Sequence, residues 1–579
     1  MSFKTRLPYQ EIWLYNFIFQ RKGPVLTNPI CLVGGELKSE KLIKIFQDDL
    51  NNPPFEMGEN NLFISYYTPN ELHCHLSLEW SLPKNIIDLF PEYRCLTNGL
   101  VDAKQSSLSD ALTWFNLSPI DETLKSTVES LLSRGEPWSQ SDKQLFLDYG
   151  QAVLVAQFQL LEKMEDWIIG QLATVLQRSR YMVAVTKMEN YGVPIDTERY
   201  NILKDKWNDI RETLVLELKE SFSPYDKSAF KIKRFEKYLE SQDIPWSKTN
   251  TGRLNLTQET FAQMGEIYPQ IKPYGRLKKS LSKLNKLELP VGSDGRSRCN
   301  LRPFMTTTGR NAPSSNKFIF NLPKWLRHLI KPRQGHGLAY LDWSYQEVGV
   351  AAALSQDSNL KRDYLSGDPY LAFAKKIGAI PLDATKESHA SDRSQFKEVV
   401  LAILYGLSAS NLSKRIKKSL SESMELLRQH RIRYPDFWKW SDDIVMFFNT
   451  KGILCTTYGW SLRLDKDIFN ELSIRNFPVQ ANGGELLRIA CIMAMDNNIK
   501  VIATAHDGFL IEFPLEHSEK HIDIFKEVMI EASRRVLSGF ELHVDILQIF
   551  YPDRFKDPGG HSLWLKAWDI VSELETPHR

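Results

Sequence analysis

The sequence predicts an α/β domain at the N-terminus followed by a larger, mixed α+β region. Three observations predict it. Over the first ~170 residues, short apolar runs alternate with helical stretches, a length suited to one domain. From Glu165 to Ser223 the pattern is mostly helical. Beyond Gly292–Arg298, a polar loop with glycine, strand-like runs mix with helices and tight turns. A chain of 579 residues has room for about four structural units, or fewer if they are fused.

In order along the chain, Ile12-Trp-Leu-Tyr, Ile30-Cys-Leu-Val and Leu62-Phe-Ile-Ser-Tyr-Tyr predict strands, being short and rich in β-branched and aromatic residues. Helices are expected at Glu40–Leu50, Ile86–Leu89 and Leu145–Gln171. Asn51-Asn-Pro-Pro and Pro137-Trp-Ser-Gln-Ser are loop signals. Tyr191-Gly-Val-Pro-Ile-Asp interrupts the helical run. Between Lys227 and Lys286 the chain is dense in cations: Lys231, Lys233, Arg234 and Lys237, then Arg276, Lys278, Lys279, Lys283 and Lys286. A solvated helix face is the ordinary reading of such a run. Its single sign, within a neutral chain, points instead to a surface that follows phosphates.

Composition narrows the class. At 42% hydrophobic and 25% charged the chain is neither disordered nor fibrous. Lys+Arg 73 against Asp+Glu 71 leaves a net charge of +2, which excludes a histone-like binder but not a local basic channel. No run of 18 apolar residues predicts a membrane span, and Met1–Pro8 has no apolar core of a signal peptide. The six cysteines form no CxxC, which speaks against a zinc ribbon or a disulfide framework and for a reducing, cytoplasmic location. No GxGxxG or GxxxxGK[ST] phosphate cradle is present.

Five motifs could carry chemistry. Leu338-Ala-Tyr-Leu-Asp342 is an apolar run ending in a carboxylate, and Ser344-Tyr-Gln-Glu347 has the spacing of a capping box. A carboxylate at a strand end also suits a hard cation. Ile502-Ala-Thr-Ala-His506-Asp507-Gly508 predicts a hairpin turning at Asp-Gly, with Asp507 at its tip. Two carboxylates from distant strand ends can hold two Mg²⁺ a few ångströms apart. Arg393, Lys397, Leu401 and Tyr405 recur every fourth residue, one helical stripe of cation, cation, apolar and aromatic. Such a stripe can grip a triphosphate and meet the sugar and base, with Phe396, Val399, Val400 and Ile403 as core on the other side. Thr306-Thr-Thr308-Gly309-Arg310 is a turn whose hydroxyl and guanidinium groups suit sugar and phosphate. Arg475-Asn476-Phe-Pro478-Val-Gln480 predicts a turn leading into a helix, with an Asn and a Gln able to reach base or sugar edges.

In this order the motifs resemble the family A DNA polymerases. Asp342-Trp-Ser-Tyr-Gln-Glu347 is similar to the first palm motif, Arg393…Lys397…Tyr405-Gly406 to the finger helix, and His506-Asp507 to the second palm motif. Thr308-Gly309-Arg310 and Asn476…Pro478…Gln480 resemble primer and template contacts, Leu277-Lys278-Lys279-Ser the thumb, and Met188–Asp196 the start of the polymerase region. The resemblance spans most of residues 180–555. It implies a right-hand polymerase domain over 173–579, with the thumb at about 200–290, the palm at about 291–355 and 446–579, and the fingers at about 356–445.

The resemblance also implies roles. Asp342 and Asp507 would bind two Mg²⁺, with Mn²⁺ as a substitute. Arg393 and Lys397 would hold the incoming dNTP, with Tyr370 and Tyr345 nearby and Tyr405 close to the templating base. Glu347 would lie under the sugar and disfavour a 2′-hydroxyl. Arg310, Thr308, Asn476, Gln480, His506, Lys278 and Lys279 would contact primer–template DNA. The expected enzyme is a monomer without membrane attachment. Four positions depart from the pattern: Gly508 where an acid commonly follows His-Asp, Tyr345 where Gln is usual, Leu401 where Phe or Tyr is usual, and Tyr370 where His is frequent.

Residues 1–172 resemble, more loosely, the family's RNase H-like 3′–5′ exonuclease domain. That domain needs D-x-E on its first strand and a late Y-x-x-x-D. Here the positions read Asn16-Phe-Ile18 and Tyr149-Gly-Gln-Ala-Val153, leaving Glu71 as the one nearby acid. The expectation is a domain without proofreading, and no 5′-nuclease domain ahead of it. Three other readings stay open: a single-subunit RNA polymerase, against which Glu347 argues; a catalytically impaired DNA-binding relative; and a nuclease, against which the lost acids argue.

Overall fold

The computed structural model describes residues 3–23, 27–100, 106–216, 224–226, 229–249, 251–281, 287–463 and 471–575. The chain divides into two compact units. The first comprises Met1–Asn190, Leu301–Ala312 and Ala339–Gln548; the second comprises Tyr191–Asn300, Pro313–Leu338 and Ile549–Arg579.

The first unit begins with a five-stranded sheet: β1 (Glu11–Arg21), β2 (Thr27–Glu36), β3 (Leu42–Phe46), β4 (Asn61–Ser65) and β5 (Asn85–Asp88). The order is β3-β2-β1-β4-β5. β1 runs antiparallel to β2 and parallel to β4. It is buried without interruption from Ile12 to Ile18, as a central strand covered on both faces must be. Trp13, Tyr15 and Phe17 share a core with Phe63, Leu72 and Trp80, whereas Ile18 packs with Cys31, Val128 and Phe146. Helices α1 (Pro69–Ser77) and α2 (Gln140–Gly170) pack against β1 and β2. At Gly150 a Cβ would stand only 2.6 Å from Val33 Cγ2, so glycine permits the close approach of α2 to the sheet.

Two expected helices are strands. Glu40–Leu50 contains β3 and a 3₁₀ turn at Gln47–Asp49. Ladder bonds to β2, from Gly35 opposite Leu42 to Cys31 opposite Phe46, outweigh the weak helical tendency of so short a segment. Ile86–Leu89 lies mainly in β5, where Ile86 and Ile87 are buried, and only Leu89 opens the helix Leu89–Thr97. Three of the positions singled out for lost acids lie within the sheet and α2. Asn16 Nδ2 donates to the Gly150 carbonyl at 2.9 Å, Ile18 is core, and Val153 is half-buried. Glu71, on α1, is buried, and burial pushes its carboxyl pKa well up.

Helix α3 (Leu172–Tyr191) follows α2, and the chain breaks at 191–196 as the sequence predicts. The second sheet comprises β6 (His336–Trp343), β7 (Lys500–Ala505), β8 (Gly508–Pro514) and β9 (Val544–Phe550), in the order β7-β8-β6-β9. Around it are α4 (Gln346–Ser355), α5 (Pro369–Lys376), α6 (Ala390–Leu404) and α7 (Glu471–Asp496). Phe396, Val399, Val400 and Ile403 are buried on α6, as its stripe requires.

The second unit is held by a Trp207–Trp325 stack with centroids 5.7 Å apart and by Arg554 on Asp196 at 3.1 Å. It also contains an aromatic cluster of Phe230, Phe235, Trp246 and Phe261. Lys233, Arg234 and Lys237 are exposed on the helix Ile232–Ser241. Lys278 folds back on this cluster: its Nζ donates to the Leu256 carbonyl at 3.0 Å and lies 5.4 Å from the Phe261 ring centre. Burial lowers its pKa. Lys227, Lys283, Lys286 and the side chains of Arg276 and Lys279 lie outside the described residues.

Candidate active site

Asp342 is the penultimate residue of β6, and Asp507 lies in the two-residue turn joining β7 to β8. β8 is the neighbour of β6, so the sheet order brings the two carboxylates to one end of the sheet. The turn is His506-Asp507, not the expected Asp507-Gly508. Gly508 already pairs with Ala505, and exposed His506 takes the left-handed conformation (φ 58°) that a two-residue hairpin turn demands. Burial pushes the Asp342 carboxyl up to about 6, and the charges of Asp507 and Asp545 push the same way. Asp507 is raised too, by burial, with Arg310 and His506 opposing and Glu347 adding to the rise.

Asp545 was not legible as a site residue, but strand pairing explains its position. The Ser344 amide donates to the His543 carbonyl at 2.9 Å, just past the end of β6 and just before the start of β9. Adjacent strands meeting in this way run antiparallel, which brings Asp545 near enough for its charge to act on Asp342. Among the described residues no group of three or more acids, histidines or cysteines is drawn close enough to hold a metal by itself. The donor set is therefore a pair of carboxylates, each with raised proton affinity, Asp342 in part through the charge of Asp507. That chemistry fits a hard divalent cation that completes its shell with substrate phosphate and water.

The missing acid after Asp507 has a steric counterpart. A Cβ at Gly508 would lie 2.2 Å from the Tyr340 hydroxyl, which also donates to the Ala505 carbonyl at 3.3 Å. Tyr340, on β6 two residues before Asp342, fills the space a side chain at 508 would need.

A second cluster joins α4, α6 and α7. Gln480 Nε2 donates to Glu347 Oε1 at 2.5 Å and to the Tyr405 hydroxyl at 3.1 Å, while that hydroxyl donates to Glu347 Oε2. The Ser344–Glu347 capping box does not form. Tyr345 occupies the N-cap at φ 53° without a side-chain cap bond, and Ser344 Oγ is buried with no partner among the described residues. Glu347 is used by Tyr405 and Gln480 instead. Arg310 is half-buried beside this cluster. Burial lowers its pKa, and the charges of Glu347 and Asp507 oppose that loss. Its Nη2 lies 3.5 Å from Gln346 Oε1. Thr308, in the same loop, is 3.2 Å from Thr306 across their hydroxyls.

Asn476 and Gln480 lie inside α7 rather than in a turn before it, despite Pro478. They therefore sit one turn apart on the same face. Asn476 Oδ1 is buried with no partner among the described residues. On α6, Lys397 is exposed, whereas Arg393 is bound. Arg393 pairs with Asp368, the N-cap of α5, and donates to the Tyr345 hydroxyl at 3.0 Å. The rings of Tyr345 and Tyr370 each lie 5.7 Å from its guanidinium. The structure thus brings together Asp342, Asp507, Arg310 and Glu347, then Tyr405 and Gln480, with Arg393, Tyr345 and Tyr370 as a further group. Lys278 and Lys279 belong to the other unit.

A profile of DNA polymerase family A matches residues 203–547. The DNA polymerase I of Caldicellulosiruptor bescii is 30% identical over 310 residues, which cover 49% of this chain and 35% of that protein. The DNA polymerase I of Aquifex aeolicus is 22% identical over 383 residues, covering 62% and 64% respectively. The chain thus spans from about a third to just under two thirds of these relatives' lengths. The polymerase domain of Pol1 from M. smegmatis, solved in complex with DNA primer-template and dNTP, superposes with a TM-score of 0.73 at 17% identity. The superposition covers 94% of this chain and 96% of that one, and shows a common fold.

Two outcomes follow from the carboxylate geometry. Without metal, Asp342→Asn should raise the melting temperature at pH 8 by about 2 °C or more. A carboxyl whose folded pKa is raised makes the native state less stable as pH climbs from about 4 through about 6. The advantage of Asn should therefore shrink below pH 6 and vanish near pH 4, and melts across pH 4–8 check it. Gly508→Glu alone should cost about 1–3 kcal/mol through overpacking against Tyr340. Combining it with Tyr340→Ser should recover most of that loss in a denaturant titration.

Proposed function

Since the chain belongs to DNA polymerase family A, we propose that it is a template-directed DNA polymerase that extends a primer 3′-hydroxyl with deoxynucleoside triphosphates. The observation that carries this reading is the pair Asp342 and Asp507 at one end of a sheet, each with a raised pKa, beside the Glu347–Tyr405–Gln480 cluster. In this reading residues 1–172 are the exonuclease-like domain and 173–579 the polymerase domain. The thumb is at about 200–290, the palm at about 291–355 and 446–579, and the fingers at about 356–445.

Asp342 and Asp507 hold two divalent ions, magnesium or manganese. Bound there, the ions would activate the 3′-hydroxyl and neutralise the departing pyrophosphate. The residues of the chain do the positioning. Lys397 and Arg393 engage the triphosphate, with Lys397 as a point charge and Arg393 as a planar fork. Glu347 takes the floor of the sugar pocket, where its carboxylate and the Tyr405 ring leave little room for a 2′-hydroxyl. Arg310 is a half-buried cation whose charge interacts with Glu347 and Asp507, and in this reading it faces the primer end. Thr308, Asn476, Gln480 and His506 line the primer and template, and Lys279 reaches the duplex from the thumb, whereas Lys278 is engaged with the Leu256 carbonyl and the Phe261 ring. Positioning of this kind supplies much of the rate in phosphoryl transfer.

Asn16, Ile18 and Val153 support a domain without proofreading, because an amide and two hydrocarbons stand where metal-binding acids would be needed. No helix among the described residues is long and apolar enough to cross a membrane. A cytoplasmic monomer that binds primer–template DNA and dNTPs completes the proposal.

Primer extension tests it. The protein should add dNTPs and not rNTPs to a DNA primer in Mg²⁺ or Mn²⁺. Asp507→Ala should lower the rate by about three orders of magnitude or more. Normal extension by Asp507→Ala would remove the site assignment, and preference for rNTPs would favour an RNA polymerase. An inert wild-type protein that still binds primer–template would mark an impaired relative, the reading that Gly508 favours. A mispaired primer in the same assay without nucleotides should stay uncut, and clear 3′ trimming would refute the loss of proofreading.

A further inference from the structure

Among the described residues, Arg393 is held on one edge. Its Nε pairs with Asp368 Oδ2, and its Nη2 donates to the Tyr345 hydroxyl at 3.0 Å. That hydroxyl donates to the same Asp368 oxygen at 3.2 Å, closing a triangle. Nε and Nη2 form the side-on edge of a guanidinium. The end-on edge, Nη1 with the second Nη2 hydrogen, is left for another acceptor. Two aromatic faces fix the plane. Tyr345 and Tyr370 each sit 5.7 Å from the guanidinium carbon, and their rings meet edge-on at 5.2 Å and 77°.

Asp368 is itself pinned. Its Oδ1 accepts the Tyr370 and Leu371 amides at 3.1 Å each, capping α5. A carboxylate so anchored stays in place when an anion arrives, so it orients Arg393 rather than competing for it. The Asp368 and Arg393 side chains are each 18% exposed, enough for a ligand to reach the free edge. Lys397, one helical turn away, has no comparable support and is exposed. A free arginine loses rotamer entropy when a ligand orders it, and the triangle has already removed that freedom.

Taking Arg393 as a triphosphate ligand, as proposed above, we propose that Asp368 and Tyr345 are positioning residues for nucleotide recognition. They hold Arg393 side-on so that its end-on edge meets the phosphate tail of the dNTP. Tyr345 and Tyr370, two departures from the family pattern, then have a joint purpose: they are the walls that keep the guanidinium flat.

The test uses the full chain bound to a dideoxy-terminated primer–template and measures the dissociation constant of the matching dNTP. Asp368→Asn keeps the cap, since Asn caps helices as well as Asp, and removes the charge. Tyr345→Phe keeps the ring and removes the hydroxyl. Each should weaken dNTP binding by about five- to tenfold, with primer–template affinity within twofold of wild type. Should Asp368→Asn fail to fold in thermal melts, Tyr345→Phe decides. Unchanged dNTP affinity in the folded variants would overturn the inference. So would tighter binding by Asp368→Asn, which would make the carboxylate a competitor. Failure of the wild-type protein to extend an ordinary primer would instead overturn the underlying reading of Arg393.

Discussion

The repulsion between Asp342 and Asp507 is the constraint on which the site is built. Both are partly drawn out of water, and the charge of Asp507 raises the cost of ionising Asp342. A fold does not keep such a pair cheaply. β6 ends at one carboxylate and the β7–β8 turn ends at the other, and adjacent strands leave no freedom to separate them. Asp545, on β9, adds to the strain at Asp342. Arg310 is the half-buried cation that limits the rise at Asp507, so its place among acids from two clusters follows from electrostatics.

The same logic runs outward along α4. Its first turn carries Glu347, which faces Tyr405 at the end of α6 and Gln480 on α7. One carboxylate thereby joins three helices, through hydrogen bonds with a charged acceptor. Left-handed Tyr345 at the start of α4 aims the other way, towards Arg393 and Asp368. Two successive elements of one motif thus serve two subsites. The sharp backbone turn at Tyr345 separates them, at a cost of the order of 1 kcal/mol that the surrounding contacts offset.

The N-terminal sheet obeys a different rule. Its central strand is apolar on both faces, and α2 packs tightly at Gly150. Asn16 is tied to the Gly150 carbonyl and Ile18 is buried in core. The sheet is organised by packing, and burial raises the acids beside it, Glu71 on α1 and Asp88 at the end of β5.

Much of the chemistry was legible in the sequence because it is local. The spacing Arg393, Lys397, Leu401 and Tyr405 needs only a helix to become a stripe, and α6 is that helix. An apolar run ending in Asp342 needs only to be a strand, and β6 is one. Short segments were less readable, since β3 and β5 owe their conformation to ladder partners elsewhere in the chain. The capping box at Ser344–Glu347 failed for a related reason: a tertiary partner outweighed the local bond. Tertiary structure alone decided the roles of Tyr340, Asp368 and Asp545. Each acts on a residue brought near by strand pairing or helix packing: Gly508, Arg393 and Asp342 in turn. The sequence by itself determined which side chains could carry charge and in what order. Folding decided which of those charges meet, because an electrostatic interaction depends on distance through space and not on distance along the chain.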